Sequence, residues 1–115
     1  MGSAEAAAER WDALVTDVLA AGSATYGNEG GPQRAFGATS LKTDGKIFAM
    51  LVKDRLVVKL PAARVSELVE TGVGERFDPG HGRIQKEWLS VVGDDPDAWR
   101  ALATESEAFV AKRTR

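Results

Sequence analysis

The chain of 115 residues has no cysteine, one histidine, one tyrosine and four prolines. Without cysteine it has no disulfide, no thiolate nucleophile and no sulfur-ligated zinc or iron–sulfur centre. His81 alone would have to supply any imidazole base or ligand. It lies in Asp78-Pro79-Gly80-His81-Gly82, a run of residue types that form a turn. No stretch is apolar enough for a membrane-spanning helix, and the N-terminal segment carries Glu5, Glu9, Asp12 and Asp17 where a secretory leader would be apolar. The glycine pairs Gly72/Gly74 and Gly80/Gly82 lack the flanking strand, helix and Lys-Ser/Thr of a phosphate loop. Asp94, Asp95 and Asp97 read as helix-start residues rather than cation ligands. These absences leave no catalytic residue, metal or cofactor to expect; a non-enzymatic role and a cytoplasmic location are the expectations.

What is present suffices for one globular domain spanning residues 1–115, since 43% hydrophobic and 28% charged residues can form a core and a solvated surface. Three strand-like runs lie between Phe36 and Leu60, separated by Asp44-Gly45 and Lys53-Asp54. Such dipeptides tolerate the positive φ of a tight hairpin, so the segment reads as an antiparallel meander. Within it, Ile47 to Val52 is apolar on both faces and suits a central strand. In the next run Leu56, Val58 and Leu60 form a packed row, and Arg55, Val57 and Lys59 a wet one.

Helices flank the meander. Trp11, Leu14, Val15, Val18 and Leu19 make one buried stripe on a helix that starts near Ser3 and ends at Gly22. The glycine-rich residues 22–35 read as a flexible connection. Pro61 opens a short middle helix, with Val65, Leu68 and Val69 facing inward, and Gly72 stops it. Residues 72–83 read as a loop around Phe77 with at most a brief strand, and Gln85 to Val92 alternates as a fourth strand. Asp95-Pro96-Asp97 starts a terminal helix whose stripe is Trp99, Leu102, Ala103, Ser106, Phe109 and Val110. The expected fold is therefore α+β: an antiparallel meander of about four strands carrying an N-terminal, a short middle and a C-terminal helix. Trp11, Trp88 and Trp99 are all expected in the core.

The net charge of −2 conceals a segregation. Residues 1–33 hold one basic and five acidic side chains, residues 34–64 seven basic against two acidic, and residues 65–115 seven against ten. The meander is thus cationic, and Lys46, Lys53, Arg55 and Lys59 are the candidate residues for binding a partner or nucleic acid.

The ordered set Phe36-Gly37, Gly45-Lys46-Ile47-Phe48-Ala49, Leu56-Val57-Val58-Lys59-Leu60 running into a helix, Phe77 before a glycine-rich loop, Trp88-Leu89-Ser90-Val91 and a terminal amphipathic helix resembles the N-terminal domain of the TfoX/Sxy competence regulators. That fold is related to the MmcQ/YjbR-like proteins. The resemblance covers nearly the whole chain and implies a regulatory module rather than an active site. The chain departs from the family in having Ala35 where a Met usually precedes Phe-Gly, and in ending at Arg115, without the helical C-terminal domain of the full-length regulators. A stand-alone domain follows as the expectation. It would engage a protein partner or form a homodimer through a strand edge or the long connection. An accessory nucleic-acid-binding domain is the alternative, disfavoured by a pI near 5.4.

Overall fold

The computed structural model describes residues 3–21, 24–26, 40–43, 45–52, 54–77 and 85–114. Its elements in chain order are α1 (Ser3–Ala20), β1 (Thr25–Tyr26), β2 (Ser40–Thr43), β3 (Lys46–Val52), β4 (Arg55–Lys59), α2 (Ala62–Glu70), β5 (Gly74–Phe77), β6 (Gln85–Val91) and α3 (Pro96–Thr114). The strands make one sheet in the order β1-β2-β3-β4-β6-β5, with every neighbouring pair antiparallel. The α+β class expected from the sequence is the one observed.

Local chemistry explains the elements that were legible. Thr43 pairs with Lys46 across a turn in which Gly45 has φ +80°, and Val52 pairs with Arg55 across one in which Asp54 has φ +68°. Both conformations are left-handed, and Gly and Asp are among the residues that accept them most readily. After α2 the chain closes with the N–H of Val73 on Leu68 O at 2.9 Å and that of Gly72 on Val69 O at 3.2 Å, with Gly72 at φ +85°. This paired arrangement satisfies carbonyls the helix end would leave open. At the start of α3 the Asp95 carboxylate accepts the N–H of Asp97 at 3.1 Å, just ahead of Pro96. Asp95 caps the helix as its sequence position implied.

The sheet has two more strands than the meander predicted. Thr25 and Tyr26, inside the connection assigned to residues 22–35, add an edge strand on β2, and Gly74–Phe77 forms the other edge on β6. Because β6 lies between β4 and β5, the β4–α2–β5 crossover skips a position that the chain fills on its return. The stripe of α1 is also shifted: Ala7, Trp11, Leu14 and Val18 are buried, whereas Leu19 is exposed.

All three helices contribute to a single core. Leu56, Val58 and Leu60 of β4 and its exit, with Leu89 and Val91 of β6, meet Val65 and Leu68 of α2, Trp99 and Leu102 of α3, and Trp11 and Leu14 of α1. Val57 is fully buried too, so the row Arg55, Val57, Lys59 is dry at its centre rather than wet throughout. Arg64 ties α2 to α3 with two hydrogen bonds to Glu105, Nε at 2.8 Å and Nη2 at 3.2 Å, and reaches Glu67 at 2.8 Å. These bonds, the Glu105 pair foremost, hold its guanidinium above its ordinary pKa. No helix among the described residues is long and apolar enough to cross a membrane.

Candidate functional site

The site begins with an irregularity in β3. Leu41 pairs with Ala49 but Lys42 pairs with Ile47, so Phe48 is an extra residue in its strand. A bulge of this kind bends the strand and breaks the in-and-out alternation locally. Phe48 and its neighbour Ala49 are both fully buried in the shared core.

The β3–β4 ladder also stops here, at Ala49–Val58. The next facing residues would be Phe48 and Lys59. Ser106, fully buried on α3, occupies the gap between them. Its hydroxyl accepts the Lys59 N–H at 3.1 Å and lies 2.6 Å from Phe48 O and 2.7 Å from Lys59 O, two acceptors that share its one proton. A helix side chain thus replaces a backbone bond between strands, and the strands stay apart.

A cleft of about 520 Å³ opens at this end of the sheet, where the β2–β3 hairpin turns and β4 finishes. Its cations are Lys42, Lys46 and Lys59; its apolar lining is Ile47, Trp88 and Val110. Register explains the convergence: Lys42 faces Ile47 across β2–β3, and Lys59 faces Trp88 across β4–β6. Lys59 Nζ stands 5.5 Å from the centre of the Trp88 ring, a cation–π distance, and 3.8 Å from Glu87 Oε1. No ion pair joins Lys42 or Lys46 to a described residue.

Of the four candidates from the sequence, Lys46 and Lys59 meet in this cleft, and Lys53 lies outside the described residues. Arg55 is at the opposite end of β4, hydrogen-bonded to Glu75 at 3.2 Å. There it lines a smaller cavity of about 260 Å³ with Arg10, Asp54 and Asp94, where charges of both signs offset each other. The expected basic row is therefore divided. His81 also lies outside the described residues, and no group of metal-ligating side chains occurs among those described.

Two residues of the cleft were not anticipated. Lys42 pairs with Ile47 on the far side of the bulge and lines the cleft beside it. Trp88, expected in the core, is half-buried in the cleft wall, whereas Trp11 and Trp99 are 2% and 1% exposed. The alternation of β6 carried the signal: Leu89 and Val91 fill the core, so Trp88 must lie on the other side of its strand.

Comparison of the chain with known protein families, with characterised proteins and with solved structures finds no match.

Proposed function

We propose that the chain is a non-enzymatic regulatory binding module, similar in kind to the TfoX/Sxy N-terminal domain, that recognises an anionic group of its partner in the Lys42–Lys46–Lys59 cleft. The observation that carries this reading is the convergence of three lysines from three strands on one concave site. A charged recess with low-dielectric walls concentrates counter-ions more strongly than the same cations spread on a flat surface. Its other lining groups, an indole and two aliphatic side chains, hold and orient a ligand by contact.

Homodimerisation by strand addition has less support. The β5 edge carries exposed Glu75 and Arg76, charges that discourage edge pairing. The nucleic-acid alternative on Lys46, Lys53, Arg55 and Lys59 is likewise weaker, because Arg55 is remote from the cleft and already engaged by Glu75. The test is a titration of the isotope-labelled chain with pyrophosphate and with an oligoglutamate peptide across a salt series, followed by NMR. Amide shifts at Lys42, Lys46, Lys59 and Trp88 that fade with salt and vanish in a Lys42→Glu/Lys46→Glu variant are expected. Shifts confined to other surfaces would overturn the reading.

A further inference from the structure

The chemistry of the cleft narrows its ligand. A polyanion is held by phosphate contacts distributed along a track. Here Lys42, Lys46 and Lys59 surround one cavity, while Arg55 is withdrawn by Glu75 at the far end of β4. A volume of about 520 Å³ falls in the range of small-molecule sites, roughly 300–1,000 Å³.

Among the described residues, three lysines line the cleft and Glu87 lies beside Lys59, a balance of about two positive units that matches the roughly −1.5 to −2 of a phosphate monoester near neutral pH. Lysine ammonium groups are common phosphate binders, acting as point charges that can surround a tetrahedral anion. The second half of the lining is flat and apolar: the half-buried Trp88 indole with Ile47 and Val110. Lys59 Nζ, 5.5 Å from the indole centre, makes the cationic and aromatic parts adjoin.

Resting on the reading of the cleft as an anion site, we infer that its ligand is a phosphate monoester of a flat apolar group, such as an aryl phosphate or a nucleoside monophosphate. The phosphate is held among the three lysines and the ring lies against Trp88.

The probes are phenyl phosphate, adenosine monophosphate, inorganic phosphate and pyrophosphate, titrated by calorimetry and by NMR of the Trp88 indole. Both ring-bearing phosphates are expected to move the Trp88 indole signal and to bind at least about tenfold tighter than inorganic phosphate, the return on burying a ring face. Lys42→Ala and Lys46→Ala each weaken both by about tenfold, with circular dichroism unchanged, because neither side chain belongs to the core. Trp88→Leu removes the advantage of the ring. Equal affinity for phenyl phosphate and inorganic phosphate overturns the inference, as does a Trp88 indole unmoved at ligand concentrations up to about 10 mM. Pyrophosphate separates the two levels. If it still binds the lysines while the ring adds nothing, the anion site stands and the aryl phosphate assignment falls; if none of the four probes binds, both fall.

Discussion

The hydroxyl of Ser106 accepts the backbone N–H of Lys59 at 3.1 Å, across 47 positions of sequence. A residue of the α3 stripe thereby completes the hydrogen bonding of a strand that has lost its neighbour. The same contact fixes the backbone from which the Lys59 side chain enters the cleft.

Ser106→Ala should therefore destabilise the fold by about 1–3 kcal/mol, the cost of leaving a buried N–H without an acceptor. Ser106→Val adds bulk at a fully buried position and should cost more. Urea denaturation with an unchanged m-value checks both. A loss below about 0.5 kcal/mol for Ser106→Ala would mean that the strands close and re-form the Lys59–Phe48 bond themselves.

Gly74 packs β5 against β6 more tightly than any side chain allows. A Cβ there would stand 2.5 Å from Ser90 O and 2.9 Å from Leu89 Cδ1. The first of these atoms is backbone and cannot rotate away, so Gly74→Ala must shift the edge strand. A loss of about 1–3 kcal/mol is expected, read from the thermal or urea midpoint. Hydrogen exchange should report it first in β5, an edge strand paired only with β6.

Asp54 offers a contrast, since its strain lies in the backbone alone. At φ +68° it holds the second hairpin in a left-handed conformation. Asp54→Gly should stabilise the chain by up to about 1 kcal/mol, while Asp54→Val, β-branched in the same conformation, should cost about 1–2 kcal/mol. Differential scanning calorimetry distinguishes the two signs.

These three positions differ in how far the sequence announced them. Asp44-Gly45 and Lys53-Asp54 named their hairpins because turn chemistry is local, and Asp95-Pro96 named the start of α3 for the same reason. Gly74 looked like one glycine of a loop. Its strand has only four residues, with Glu75 and Arg76 both exposed, so no alternation marks it. Thr25–Tyr26 was illegible on length alone. Ser106 could be placed on the buried stripe of α3, but its role needs the bulge at Phe48 and the end of the β3–β4 ladder, both properties of long-range pairing. The cleft was half legible for the same reason. The positive charge of the meander could be counted, whereas the register that gathers Lys42, Lys46 and Lys59 and separates Arg55 could not.

The tryptophans test that division most directly, because all three lie on apolar patterns and only the alternation of β6 sets Trp88 apart. Trp99 is 1% exposed, donates its indole N–H to Gly93 O at 3.0 Å and carries the Arg10 guanidinium 5.0 Å above its ring. Its replacement by Ala removes a large core side chain and leaves Gly93 O without that donor, a loss of about 3–5 kcal/mol. Trp88 is half-buried and belongs to the wall of the cleft, so Trp88→Ala forfeits only partial burial and the Lys59 contact, about 1–2 kcal/mol. The two variants should therefore separate in a denaturation experiment while differing oppositely in ligand binding. Trp88→Ala remains folded and loses affinity for phenyl phosphate; an analogue of Trp99→Ala that still folds, Trp99→Phe, keeps it. Equal destabilisation at the two positions would return Trp88 to the core and remove the aromatic wall on which the cleft depends.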